Sequence, residues 1–147
     1  IDGTDIHLNN MLGEPSLLPN GLNSWIPGRR LASMMSPTLI TDMMGLKYAL
    51  GTGGAERIPV MLSLATHYLL DLNMDLQKAI EAPRVYLSGH QLEVEAGFEE
   101  GSVGRLVPTR YWDKTSLYFG GVHGIAFNAG SAQAVGDYRR EGSALVE

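Results

Sequence analysis

The segment from residue 31 to residue 72 constrains the fold most, because strand-like and helix-like patterns meet there across a loop of glycines. Residues 39–42 alternate apolar and polar side chains, and residues 46–50 form a second short apolar run after a turn at Met44-Gly45, which favours a β-hairpin. From Ile58 onward, apolar residues recur at helical spacing, at positions 58, 61, 62, 65, 68, 69 and 72. The segment therefore predicts two strands, a glycine loop and a helix, in that order.

The glycine loop, Gly51-Thr52-Gly53-Gly54, is typical of an anion site because it leads into a helix N-terminus. The first N–H groups of a helix have no partner within it, and the helix dipole adds partial positive charge there. Backbone donors in this position can serve as an oxyanion hole, which stabilises the negative charge of a tetrahedral intermediate. The alternative is a tight turn that needs glycine for a positive φ, and both interpretations can hold together.

The rest of the chain is predicted as short strands and helices joined by polar loops. Asp75 is expected to cap a second helix, and the proline-containing segment 13–28 to form a long loop. Asp137, Arg139 and Arg140 are expected to form structural ion pairs. The predicted strands cover residues 5–9, 84–87, 91–95, 117–119, 123–128 and 132–135, and the predicted helices cover residues 56–72, 76–81 and 98–107.

Composition excludes several classes of function. The net charge is −5 and lysines and arginines form no run, which argues against nucleic acid as a partner. No apolar run approaches the roughly 18 residues of a membrane span, and the absence of Cys excludes thiol catalysis and thiolate metal sites. No metal and no cofactor is expected, because metal-ligand spacing is absent from the histidines, which are His7, His67, His90 and His123. The localisation stays open.

Five short motifs occur in an order and spacing that resemble the small subunit of the γ-glutamyltransferases, which are also named glutathione hydrolases. They are residues 8–14 (Leu-Asn-Asn-Met-Leu-Gly-Glu), 33–38 (Ser-Met-Met-Ser-Pro-Thr), 49–58 (Ala-Leu-Gly-Thr-Gly-Gly-Ala-Glu-Arg-Ile), 82–85 (Ala-Pro-Arg-Val) and 137–142 (Asp-Tyr-Arg-Arg-Glu-Gly). In the last motif Tyr138 stands where the family has a proline. The resemblance covers nearly the whole chain.

Helices in the middle of the chain and strands at both ends predict a layered α+β fold. The resemblance implies more, namely the αββα sandwich of the N-terminal-nucleophile hydrolases, with residues 1–147 as a single domain from the C-terminal portion of the small subunit. The family nucleophile is a Thr at the start of that subunit, upstream of the Leu-Asn-Asn motif. Because this motif begins at Leu8, we expect the nucleophile to lie outside this sequence, the fold to be partial and the chain alone to be inactive.

The resemblance also implies roles for individual residues. Gly54 and Ala55 match the oxyanion donors of the family, and Ser33 matches the first of two serines that hold the α-carboxylate of the substrate. Met34 stands at the position of the second serine, and a thioether cannot donate a hydrogen bond to a carboxylate. Without the resemblance, a serine such as Ser33 is more simply a solvated or capping hydroxyl.

A second set of implied substrate contacts lies in the first motif. Met11 and Glu14 occupy positions where family members often carry Gln or Glu and Asp, respectively, which hold the α-ammonium group of the substrate. Glu14 keeps the negative charge on a longer side chain, whereas Met11 does not. Asn10 is included as a substrate contact, although amides such as Asn9 and Asn10 also brace the backbone. The alternative for Glu14 is a solvated loop carboxylate.

The first class of function is an enzyme. The chain would be part of an autoprocessed γ-glutamyltransferase-like amidohydrolase and acyltransferase, and its partners would be the large subunit of the same precursor and a small γ-glutamyl substrate. An N-terminal Thr, with its own amine as base, would attack a γ-glutamyl amide such as glutathione and pass the acyl group to water or an amine. The changes at Met11 and Met34 leave open another acyl group, such as glutaryl or poly-γ-glutamate.

The second class is a non-catalytic fragment or relic domain with a structural or oligomerisation role. In either class, a sandwich shared between two subunits leaves an apolar sheet face uncovered when one subunit is absent. Such a face favours association with the large subunit or self-association.

Overall fold

The computed structural model describes residues 1–9, 11–103, 107–128 and 130–146. The chain divides into two compact units, Ile1–Met34 and Met35–Glu147, and the expectation of a single domain stays a prediction. The second unit contains strands β1 to β7 and helices α1 and α2. The strands are Thr38–Asp42, Gly45–Gly51, Val85–Ser88, Gln91–Val94, Thr109–Tyr111, His123–Asn128 and Ser131–Val135, and the helices are Ile58–Leu70 and Leu76–Glu81.

The first unit consists of turns, irregular segments and two short 3₁₀ helices, Met11–Gly13 and Pro15–Leu17. The long loop that the prolines predict is confirmed. The strand predicted over residues 5–9 is wrong, because Ile6 and Leu8 are exposed in irregular backbone. Two alternating apolar residues make a weak strand signal, and a strand also needs a partner for its ladder hydrogen bonds.

The predicted hairpin is confirmed as β1 and β2, and its sheet continues in the order β1-β2-β6-β7. All neighbouring strands in this sheet are antiparallel. A register shift between Ile40 and Thr41 places an irregularity in β1, which locally increases the twist. The strands predicted over residues 123–128 and 132–135 are therefore confirmed as well.

Helix α2 packs on one face of this sheet, and α1 packs against α2. A Cβ on Gly124 of β6 would lie 3.0 Å from Leu76 Cδ1 and 3.3 Å from Ile80 Cδ1, so the glycine lets α2 approach the sheet closely. Asp75 caps α2 as predicted, because its Oδ1 accepts a hydrogen bond from Lys78 N at 2.9 Å.

The opposite face of the sheet carries a transverse row of apolar residues. Leu39, Ala49, Ile125 and Ala134 are cross-strand neighbours in successive strands. Leu39 is 69% exposed and Ile125 is 38% exposed, although both lie on a sheet whose other face is packed. The four residues contribute to an open groove of about 460 Å³. This face is an apolar surface of the kind that is normally covered by another layer.

A second sheet has the order β3-β4-β5. The strands predicted over residues 84–87 and 91–95 are confirmed as β3 and β4, which pair antiparallel, whereas β5, which pairs parallel to β4, was not expected. Three residues are too few to show an alternating pattern. The strand predicted over 117–119 is wrong: Leu117–Phe119 is a 3₁₀ helix, and Ser116 Oγ accepts a hydrogen bond from Tyr118 N at its start.

The helix predicted over residues 98–107 is wrong for its described part, residues 98–103 and 107, which form an isolated bridge at Phe98 followed by irregular backbone, turns and bends. Tyr111 OH takes the place of helical partners there: it accepts from Gly101 N at 2.8 Å and donates to Val103 O at 2.8 Å. Residues 104–106 lie outside the described part. Among the described residues no helix is both long and apolar enough to cross a bilayer.

Candidate active site

The glycine loop leaves β2 and turns sharply before α1. Gly54 has φ +134° and Ala55 has φ +51°, and a 3₁₀ turn over Ala55–Arg57 then leads into α1. The prediction that this loop is a tight turn with positive φ is confirmed. Alanine rarely adopts the left-handed region, so Ala55 holds local strain of about 1–2 kcal/mol. Such strain is concentrated at functional sites.

Two backbone donors of this loop are unused. In the part of the chain that the structure describes, neither Gly54 N–H nor Ala55 N–H donates a hydrogen bond, while Gly54 O accepts from Arg57 N at 3.0 Å. Successive N–H groups in such a turn form a concave anion-binding arrangement. Such an arrangement can stabilise a negatively charged oxygen. The role of Gly54 and Ala55 as oxyanion donors, which the family resemblance implies, stays a prediction.

A second glycine turn fixes the shape of the loop. Thr52 Oγ1 donates to Gly53 O at 2.9 Å and accepts from Gly121 N at 3.0 Å, so one hydroxyl joins the two segments. Gly120 has φ +79°, and a Cβ there would lie only 3.0 Å from Gly53 O. Sequence reasoning missed Thr52 and the glycine pair as parts of the site. The adjacent glycines were visible, but they indicated only a turn.

Arg57 lies between the glycine loop and α1, and its guanidinium packs on an aromatic cluster formed by Tyr86, Trp112 and Tyr118. Its guanidinium lies 4.5 Å from the ring centroid of Tyr118 and 5.9 Å from that of Tyr86. Tyr118 in turn stacks on Trp112, with centroids 5.1 Å apart. Cation–π contacts of this kind stabilise a partly desolvated cation. Arg57 is therefore positioned as a support for the turn.

Beneath the site, two arginines and two carboxylates are buried together. Arg84 Nη2 donates to Asp137 Oδ2 at 2.6 Å, and Arg139 Nη2 donates to Glu95 Oε2 at 2.7 Å. Burial, together with the charge of Arg139, lowers the pKa of Arg84 against the opposing effect of Asp137. Burial acts in the same direction on Arg139, but its hydrogen bond and charge interaction with Glu95 raise its pKa overall. The four charges balance, as buried charges must.

The cluster anchors the turn that carries the last predicted motif. Asp137 Oδ2 also accepts from Val122 N at 2.8 Å, and Asp137 Oδ1 accepts from Arg139 N at 2.9 Å. Structural ion pairs are therefore confirmed for Asp137 and Arg139. The expectation is wrong for Arg140, whose exposed side chain forms no ion pair and no hydrogen bond with the described residues.

The predicted substrate contacts lie in the first unit. Met11 and Glu14 are brought together by adjacent 3₁₀ turns, with Glu14 N donating to Met11 O at 3.2 Å. Glu14 Oε1 accepts from Ser16 Oγ at 2.9 Å. Ser33 is exposed and Met34 is half-buried. Asn10 lies outside the described residues, and the roles of all five in binding stay predictions.

Comparison with known proteins identifies a matching protein family and several relatives of this chain. A protein-family model described as Gamma-glutamyltranspeptidase matches residues 2–147. The chain is 32% identical over 148 residues to an Acylase ACY 1 proenzyme of Pseudomonas sp. (strain SE83), an alignment that covers 99% of this chain and 26% of that protein. It is 27% identical over 142 residues to the Glutathione hydrolase proenzyme of Bacillus subtilis (strain 168), covering 94% of this chain and 24% of that protein. The chain thus spans about a quarter of the length of these relatives.

Solved structures share the fold. Gamma-glutamyltranspeptidase from Pseudomonas nitroreducens complexed with L-DON superimposes with a TM-score of 0.74 at 21% identity, over 100% of this chain and 84% of that one. Cephalosporin acylase from Bacillus halodurans gives a TM-score of 0.72 at 22% identity, over 85% of this chain and 24% of that one. The α+β fold that the order of elements predicts is confirmed. The fold of the N-terminal-nucleophile hydrolases, which the resemblance implies, is confirmed by these solved structures.

Proposed function

The chain belongs to the gamma-glutamyltranspeptidase family, and on this basis we propose that it forms the oxyanion-stabilising part of an enzyme that cleaves γ-glutamyl amides. The observation that carries the proposal is the turn at Gly54 and Ala55 next to a helix start, where two N–H groups have no acceptor among the described residues. A family that acts on amides through an acyl-enzyme needs donors of this kind at the carbonyl oxygen.

In the proposed mechanism, an N-terminal Thr outside these 147 residues attacks the amide carbonyl, and its own α-amine accepts the hydroxyl proton. Negative charge develops on the carbonyl oxygen as the tetrahedral intermediate forms. The N–H groups of Gly54 and Ala55 stabilise that charge, and each such donor contributes about 3–4 kcal/mol to the transition state. The amine then leaves with a proton, and water or a second amine takes the acyl group from the Thr.

The fixed geometry of the turn supports this role. Thr52, Gly120 and Gly121 tie the loop to the neighbouring segment through the Thr52 hydroxyl, and Arg57 rests on the aromatic cluster. Donors that are held before the reaction need no reorganisation when charge develops, which is why preorganised donors are effective. The loop has this character independently of which acyl group is bound.

We propose that Ser33, Asn10 and Glu14 contact the acyl group, with Met11 and Met34 lining the same site. Methionine at positions 11 and 34 removes two side chains that could hydrogen-bond the α-amino acid end of a γ-glutamyl group. This favours a second candidate: an acylase for an acyl group with fewer polar atoms, such as glutaryl. The 32% identical relative that is named an acylase supports this alternative.

The proposed partner is the large subunit of the same precursor. The exposed row of Leu39, Ala49, Ile125 and Ala134 is an apolar sheet face, and the αββα sandwich places a second sheet against such a face. Self-association through this face is the alternative when the large subunit is absent.

The deciding experiment uses the intact precursor that contains this chain. We expect it to cleave itself and then to hydrolyse a γ-glutamyl anilide, with a glutaryl anilide measured side by side to identify the preferred acyl group. Absence of self-cleavage and of turnover with both compounds would favour the non-catalytic alternative. A preference for the glutaryl compound would assign the protein to the acylase alternative.

A further inference from the structure

The side chain of Arg140 packs against two glycines, Gly53 of the glycine loop and Gly121 of the neighbouring segment. A Cβ on Gly121 would lie 2.7 Å from Arg140 Cγ and 3.1 Å from Arg140 Cβ, so any larger residue at position 121 would displace the arginine. A Cβ on Gly53 would lie 3.4 Å from Arg140 Cζ and 3.5 Å from Nη1. The side chain therefore runs across Gly121, and its guanidinium rests on Gly53, the residue before the Gly54 donor.

The backbone that carries this cation is tied to the buried cluster. Arg140 N donates to Asp137 O at 3.2 Å, and Gly142 N donates to the same oxygen at 2.9 Å. Asp137 itself is fully buried and paired with Arg84. The Cα of Arg140 is thus fixed relative to the core, and only the side chain is free to adjust.

The guanidinium of Arg140 has N–H donors that are available to bind a ligand. It carries five N–H donors, and within residues 1–9, 11–103, 107–128 and 130–146 none of them has an acceptor. Among the described residues, the exposed guanidinium of Arg140 therefore has no carboxylate partner, and it lies next to the loop that carries the Gly54 and Ala55 N–H groups.

We propose that Arg140 binds a carboxylate group of the substrate beside the oxyanion loop and so determines which amides are accepted. This inference rests on the proposed amide-cleaving function. Arginine matches the planar, two-oxygen geometry of a carboxylate, and its charge is permanent. The carboxylate comes from one of two sources: the acyl group, or the amine that leaves or accepts that group.

The test compares substrates that differ by one carboxylate, in the intact processed protein. The acyl arm compares a glutaryl anilide with the corresponding amide-terminated glutaramyl anilide. The amine arm compares glycylglycine with glycylglycinamide as acceptors. We expect Arg140→Gln to lower kcat/KM by about 10- to 100-fold for the carboxylate-bearing member of one arm, the range for a charged hydrogen bond. Arg140→Lys should retain part of the activity.

Two matched variants separate this role from a general loss of structure. Gly121→Ala leaves the charge in place but displaces the arginine stem, so it should reproduce the substrate pattern of Arg140→Gln. Lys47→Gln removes an exposed cation near the β1–β2 turn, away from the glycine loop, and should change neither arm. An equal loss for compounds with and without the carboxylate would overturn the proposal, and so would no change in either arm.

A binding measurement keeps this inference separate from the proposed function. If the wild-type protein cleaves none of the amides, the proposed function fails, and calorimetric titration with glutarate and with glycylglycine then decides the role of Arg140. The inference holds if at least one of these carboxylates binds the wild-type protein and binds Arg140→Gln about 10-fold or more weakly. Equal affinity in the two proteins, or no binding to either, overturns it.

Discussion

Arg84 Nη2 lies 2.6 Å from Asp137 Oδ2, and the two side chains are 1% and 0% exposed. These residues are 53 positions apart in the sequence, so their contact closes the C-terminal segment onto the core. Asp137 also accepts hydrogen bonds from Val122 N and Arg139 N, so a single carboxylate holds the turn on which Arg140 sits. The stability of the fold and the position of the candidate carboxylate-binding residue therefore depend on the same side chain.

We predict that Asp137→Asn destabilises the protein strongly. The amide has nearly the same shape but no charge, so two buried arginines would share one remaining carboxylate, Glu95. Breaking a buried pair costs about 3–5 kcal/mol. Urea unfolding of the intact protein measures the change, and Asp113→Asn, at an exposed position, is the control. A loss below about 1 kcal/mol would contradict the role assigned to this cluster.

Because Asp75 caps α2 through its carboxylate, we predict that the stability of the fold depends on pH. The hydrogen bond from Lys78 N, with a further contribution from the Lys78 side chain, lowers the pKa of Asp75 below its ordinary value. A carboxylate with a lowered pKa in the folded state stabilises the fold above its unfolded pKa of about 3.9, and this contribution is lost as pH falls through the folded pKa.

Asp75→Ala should therefore lower the melting temperature by a few degrees near neutral pH. The difference from the wild-type protein should shrink as pH falls below about 3.9. Melting curves across this range test it, with Asp113→Ala as the control. A difference that is constant with pH would show that the charge of Asp75 does not contribute.

The elements that the sequence predicted correctly share a strong local signal. The β1–β2 hairpin, the α2 cap at Asp75 and the individual strands β3 and β4 all follow from periodicity and turn residues within a few positions. The elements that were missed depend on distant partners. Strand β5 exists because β4 offers it a parallel edge, and residues 98–103 follow the hydroxyl of Tyr111 instead of forming a helix.

The residues of the candidate site also separate into those with a local sequence signal and those that are placed by contacts between distant parts of the chain. The glycines of the loop correctly predicted a turn, since glycine tolerates a φ such as the +134° of Gly54. The donor role of the loop stays a prediction. The packing of Arg140 against Gly53 and Gly121 could not be predicted, because these three residues are far apart in the sequence and meet only in the folded chain. The pair Arg139-Arg140 likewise does not reveal that Arg139 is buried and that Arg140 is exposed with no ion-pair partner among the described residues.

The apolar sheet face predicts how the isolated 147-residue chain behaves. Leu39 and Ile125 are exposed on a face that the sandwich fold covers, so we expect the chain to associate with itself at micromolar concentration. Ile125→Glu should raise the monomer fraction at least several-fold in sedimentation velocity. Leu70→Glu, at an exposed position on α1, is the control and should leave association unchanged. A monodisperse monomer of the unmodified chain would contradict the expectation.

The methionines at positions 11 and 34 predict the direction of a specificity change. Replacing them together, Met11→Gln with Met34→Ser, restores side chains that can hydrogen-bond the α-amino acid end of a γ-glutamyl group. We expect the ratio of kcat/KM for γ-glutamyl over glutaryl anilide to rise about 5- to 150-fold, since each of the two added hydrogen bonds contributes about 0.5–1.5 kcal/mol. Leu12→Gln, a polar substitution in the same 3₁₀ turn, is the control. An unchanged ratio would remove positions 11 and 34 from the acyl site.

The oxyanion assignment is tested at Gly54, where conformation and catalysis must be separated. A Cβ at this position would lie 3.4 Å from Gly120 Cα, an ordinary contact, so Gly54→Ala fits sterically but is strained by the φ of +134°. Gly45 in the β1–β2 turn has φ +121° and open space around it, so Gly45→Ala carries similar strain far from the loop. We expect both variants of the intact, processed enzyme to lose a few degrees in melting temperature, and only Gly54→Ala to lose at least about 10-fold in kcat. Equal kcat in the folded fractions of the two variants would mean that Gly54 is required by the turn alone, and the donor role of this loop would have to be withdrawn.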